Sequence, residues 1–144
     1  MQTLSDICEL EMSKFLGGDW HMSVREIGGG RGQSVCIART RFTLILTEDD
    51  FGSTVLCYVS NDTKLEPPYR IPLGFLREYL GYMPKEMPQN FGPLSEKRDW
   101  LRQMINDGIQ IVRQFESQDV NWETAEVAHD HYQNRRFSPG AESG

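Results

Sequence analysis

Trp20, Met22 and Val24 alternate with polar residues, and after the glycines of "EIGGGRGQSV" Val35 and Ile37 are odd but Phe42, Leu44 and Leu46 even, so the parity flips. Successive side chains of a strand point to opposite faces, so a strand running unbroken through that flip would send one apolar group to solvent. The chain is therefore expected to bulge or break near Arg39 to Arg41. Pairing Val24 with Val35 and Met22 with Ile37 puts all four on one face and leaves Gly28 to Arg31 as a hairpin connection, where glycine supplies the positive backbone angles. The acidic and glycine residues of "EDDFGS" make the next turn. "TVLCYVS" is then apolar on both faces, as in a central or helix-covered strand. Together these segments predict a three-stranded antiparallel meander.

The same glycines fail the tests for a nucleotide loop. A dinucleotide fingerprint needs glycine at its first, third and sixth places and a helix after it, whereas Gly28 and Gly30 lead to Gln33 and then to strand-like residues. A P-loop needs Lys and Ser or Thr after its last glycine, and Gly32 is followed by Gln33 and Ser34. The loop turns the chain and does not cradle a phosphate.

Helical spacing frames the meander. Leu4, Cys8, Met12 and Phe15 share one face, with Thr3 or Ser5 as a cap and Gly17 as a stop. Beyond the polar, proline-rich stretch from Asn61 to Tyr69, Pro72 opens a short helix with Leu73, Leu76 and Leu80 on one face and Gly81 at its end. Pro84, Pro88 and Pro93 forbid a continuous helix in the following loop. The strongest helix carries Leu101, Met104, Ile105, Gly108, Ile109, Val112 and Phe115 in one stripe, with Ser95 as its expected cap. A weaker one sets Trp122, Ala125, Ala128 and Tyr132 against mostly acidic residues. The pattern predicts an α+β fold in the order α-β-β-β-α-α-α, with the first and main helices on one face of the sheet. Residues 1–134 are expected to form one domain and residues 135–144 a flexible tail.

Charge narrows the partners. The 144 residues hold 15 basic and 21 acidic side chains, a net charge of −6, which disfavours nucleic acid as the main partner. The charge is also segregated. Arg25, Arg31, Arg39 and Arg41 oppose Glu26 alone between Trp20 and Thr47, while no Lys or Arg interrupts the acids from Phe115 to Asn134. Cys8, Cys36 and Cys57 are odd in number and lack a zinc spacing, and no apolar run is long enough for a membrane span. A cytoplasmic protein that uses no membrane is expected.

Chemical motifs are sparse. His129, Asp130 and His131 form the single histidine cluster, yet residues two apart on a helix point roughly 200° apart, so both imidazoles could not share one ion. A solvated helix end is the expected setting. His21 reads as part of a polar outer sheet face, and the cysteines lie in apolar segments that favour inert thiols. Glu48, Asp49 and Asp50 lack the twelve-residue calcium pattern. No catalytic residue, metal ligand or cofactor is assigned. Two surfaces are candidates for partner binding: the proline-rich loop with Tyr82, Met83, Met87 and Phe91, and the acidic stretch with Glu116, Asp119, Glu123 and Glu126 around Trp122.

An N-terminal helix before a meander in a small acidic chain resembles secretion-chaperone-like α+β proteins, and its size and charge resemble bacterial toxin-immunity proteins. These resemblances rest on architecture and charge, carry no residue roles, and imply a non-catalytic module that neutralises or escorts a protein with a basic surface. The alternatives are a small hydrolase or metal-assisted enzyme using His21 or the His129/Asp130/His131 cluster, and a structural subunit of a homodimer.

Overall fold

The first helix starts where the sequence provides a reciprocal cap. Asp6 N–H donates to Thr3 Oγ1 (3.2 Å) and Thr3 N–H donates to Asp6 Oδ2 (3.0 Å), which satisfies two amides that lack helical partners. A computed structural model describes residues 3–14, 20–30, 32–49, 54–62, 69–82 and 93–137. Helix α1 spans Leu4–Met12 and buries Leu4, Ile7 and Cys8; the expected contributions of Phe15 and Gly17 lie outside the described residues.

Five antiparallel strands follow: β1 (His21–Glu26), β2 (Gln33–Ala38), β3 (Phe42–Asp49), β4 (Thr54–Asn61) and β5 (Arg70–Pro72), paired in chain order. The mixed α+β order expected from the sequence holds, with five strands where three were expected. The hairpin register is the expected one, Val24 against Val35 and Met22 against Ile37. The break near Arg39 to Arg41 is a full reversal, in which Arg39 N–H donates to Phe42 O (2.9 Å), so the segment read as one strand is two. The other added strand, β5, hides in the short run before Pro72 because three residues are too few to show a period.

Met22, Ile37, Leu44, Val59 and Ile71 line up in one row across all five strands. Helices cover this face. Helix α2 (Leu73–Tyr79) packs on β4 and β5, and α3 (Arg98–Glu116) packs on β3 and α1. Gly108 is where α3 presses closest: a Cβ there would lie 2.7 Å from both Leu44 methyl carbons. The predicted α3 stripe from Leu101 to Phe115 is buried throughout. Its start differs from expectation, since Ser95 lies in a short 3-10 turn and Lys97 occupies the cap position. A 66° φ at Gln118 turns the chain into α4 (Trp122–Phe137), and residues 138–144 of the expected tail lie outside the described residues.

Two carboxylates buried under the helices are held by cations. Asp107 of α3 accepts from Arg77 Nε of α2 at 2.8 Å and from Gln103 Nε2 at 3.0 Å. Glu11 of α1 accepts from both Lys14 Nζ (3.0 Å) and Asn106 Nδ2 (3.1 Å), with Arg102 Nε at 3.4 Å. Burial alone would raise the Glu11 pKa, but those hydrogen bonds and charges hold it below its ordinary value. The clamps fix α1, α2 and α3 to one another. No helix among the described residues is long and apolar enough to cross a membrane.

Candidate functional site

Helix α4 is seated by aromatic packing. Trp122, expected both on the helix's apolar side and as the anchor of the acidic candidate surface, is only 5% accessible. Its ring lies 5.0 Å from Phe115 and 5.5 Å from Phe42, and Phe42 stacks on Phe115 at 5.3 Å. Asn121 starts the helix by accepting from Thr124 N–H (2.9 Å). The buried stripe runs Trp122, Ala125, His129, with Ala128 half-buried and Tyr132 exposed. The expected stripe thus shifts by one position at its C-terminal end, and His129 is buried where a solvated helix end was expected.

The cause is Tyr69, which precedes β5. Its hydroxyl lies 3.0 Å from His129 Nδ1 and also donates to Asp130 Oδ1. A phenol has one proton, so with that proton donated toward the carboxylate the Tyr69 oxygen accepts from His129 Nδ1–H. The chain of donors runs from His129 through Tyr69 to Asp130. Burial lowers the His129 pKa, partly offset by Asp130, and burial with the Asp130 bond raises that of Tyr69. The imidazole is therefore neutral and boxed, with Phe75 edge-on at 5.0 Å. At 3% exposure it offers almost no surface to a substrate.

His131 is exposed on the same helix, turned away from His129, and His21 sits on β1 across from Ala38. The structure does not bring the three histidines together. Among the described residues, no group of three or more His, Cys, Asp or Glu is placed to hold a metal ion.

The expected acidic stretch divides into two parts. Glu116 is turned inward to the β2–β3 reversal, where it accepts from Arg41 N–H (2.7 Å) and Phe42 N–H (3.1 Å) and pairs with the Arg41 guanidinium at 3.6 Å. Asp119 accepts from Ser117 Oγ (2.9 Å). Both line a cleft of about 500 Å³ beside Arg39 and Arg113, so charge there is mixed. On α4 itself, Glu123 and Asp130 are exposed, Glu126 is half-buried, and Val127 is 58% accessible between them.

Of the proline-rich loop, Tyr82 is half-buried, and Met83, Met87 and Phe91 lie outside the described residues. Tyr82 N–H donates to Arg77 O (2.6 Å). Its pKa is raised by burial and by Asp107, while a hydrogen bond with Gln114 of α3 opposes the rise. Sequence reasoning missed Tyr69 and the pairing of Arg41 with Glu116. Arg41 was visible as part of a basic run, whereas nothing local marks Tyr69.

No protein-family model, curated protein or solved structure matches this chain.

Proposed function

We propose that the protein is a non-catalytic protein-binding module, of the immunity or escorting type, that engages a partner with a basic surface through the outward face of α4. The observation that carries this reading is the division of that helix. Trp122, Ala125 and His129 fasten it to the domain, while Glu123, Val127 and Asp130 face outward on a segment without Lys or Arg up to Asn134. Acids around an apolar spot on a rigid helix combine electrostatic attraction with a desolvated contact. Because the helix is held by packing, the face needs little ordering on association.

The test is affinity capture of the tagged full chain and of its E123K/E126K variant from cell extract, at low and moderate salt. A basic protein retained stoichiometrically by the wild type, released by salt and lost by the charge-reversed variant supports the reading. Equal retention by a variant with native circular dichroism overturns it.

A further inference from the structure

The two edges of the sheet are finished differently. At one edge β5 has three residues and ends in Pro72, and shortness and proline both block the addition of another strand. At the other edge β1 has six residues, five exposed and Met22 half-buried, with no proline, no lysine and no bulge in its register with β2.

The phase of the hairpin ladder fixes where the β1 backbone points. Ile27 N–H donates to Gly32 O (2.9 Å). Antiparallel pairs alternate between hydrogen-bonded and non-bonded, so Arg25/Ser34 and Ser23/Cys36 are bonded pairs, whereas Glu26/Gln33, Val24/Val35 and Met22/Ile37 are not. The N–H and C=O groups of Met22, Val24 and Glu26 are therefore directed away from β2, toward the outer edge.

We propose that β1 pairs with β1 of a second copy of this chain, antiparallel and centred on Val24, joining two sheets into one. A two-fold axis keeps every residue on its own sheet face, so only registers that oppose residues of like parity are allowed. Centred on Val24, Met22 faces the partner's Glu26, Ser23 faces the partner's Arg25, and Val24, 43% exposed in the monomer, faces the partner's Val24. All the outward backbone groups of residues 22, 24 and 26 are then used, in about six hydrogen bonds. Centring on Ser23 instead sets His21 against the partner's Arg25 and pairs Glu26 with a residue before the strand. The Val24 register opposes no like charges, and this self-complementarity selects a second copy over an unrelated extended peptide. The seam is one six-residue strand from each copy, a short contact, so the dimer is expected to form only as concentration rises. It uses neither α4 nor the reading proposed for that helix.

Sedimentation equilibrium of the full chain over rising concentration should show the mass climbing from monomer toward dimer. Val24→Pro loses no ladder bond within the monomer, because that N–H points outward, and should remain monomeric at every concentration with native circular dichroism. Register is read by cysteine cross-linking in a Cys36→Ser background. Directly opposed Cα atoms about 5.5 Å apart lie within disulfide range, so Val24→Cys should link to itself on mild oxidation; Ser23→Cys, whose copies lie roughly 7–8 Å apart on the diagonal, should not. Burial pushes the Cys8 and Cys57 thiols up to about 12, which keeps them protonated during the reaction. A wild type that stays monomeric, a dimer unaffected by Val24→Pro, or equal linking by both cysteine variants overturns the proposal. If Val24→Pro does not fold, the cysteine pair decides alone.

Discussion

The two ends of the sheet obey the same pairing rules and reach opposite outcomes. At the β5 end a three-residue strand is backed by α2, and Tyr69 just before it ties the chain to His129 and Asp130 of α4. At the β1 end a longer strand lies with most of its side chains in solvent, although Met22 and Val24 share a face with the fully buried Ile37 and Val35. Strand propensity thus does not decide whether an edge is closed; the cover laid over it does. Among the described residues, aromatic side chains from distant segments supply that cover at the β5 end, where Tyr69 meets Trp122 and His129.

The largest effect that would break this comparison comes from Trp122. Replacing it with Ala removes the ring that contacts both Phe42 and Phe115, and we expect a loss of about 3–5 kcal/mol in denaturant unfolding, with α4 the first element to lose protection. Asp107→Ala, which takes the carboxylate from the buried Arg77 pair, should cost about 3–5 kcal/mol. Because that pair links α2 to α3 beneath the sheet, it serves as a reference: it should destabilise the whole domain without releasing α4 first.

Tyr69→Phe isolates the polar part of the closed end. It removes the hydroxyl between His129 and Asp130, and should cost about 1–2 kcal/mol by the same measurement. A related expectation concerns pH. Burial sets the folded His129 pKa below its ordinary 6.5, so the unfolded chain takes up the proton first as pH falls. The stability associated with the neutral imidazole is complete above about pH 6.5 and declines toward the folded value, with a slope no steeper than about 1.4 kcal/mol per pH unit. Unfolding curves at pH 7 and 5.5 should show this loss, and His129→Gln should flatten it. The Asp6 and Glu11 pKa values are held below their ordinary carboxylate values of 3.8 and 4.5, so they titrate below this window. The smallest effect on stability is expected at the open end, where replacing the exposed Val24 with Thr should change monomer stability by no more than about 0.5 kcal/mol.

How legible these ends were in the sequence follows the range of the forces that shape them. The β1–β2 register could be read because parity and a glycine connection are local constraints, and the α3 stripe because seven apolar positions repeat at helical spacing. The reversal at Arg39 to Arg41 was readable as a break but not as a separation into two strands. Glu116, which accepts both backbone amides there, comes from a helix end far along the chain. His129 was expected at a solvated helix end for the same reason, although the apolar side holding Trp122 and Ala125 was legible. The burial of His129 and Trp122 depends on Tyr69, Phe42 and Phe115, none of which leaves a mark near residues 122–129.

Amide hydrogen exchange in β1, residue by residue, tests the closed-and-open account most directly. In dilute solution the Ser23 and Arg25 amides, bonded to β2, should exchange slowly, and those of Met22, Val24 and Glu26 quickly. Raising the concentration should slow the second set alone, while the Ile71 amide at the closed end stays unchanged. Uniform protection along β1 in dilute solution, without alternation, would contradict the account.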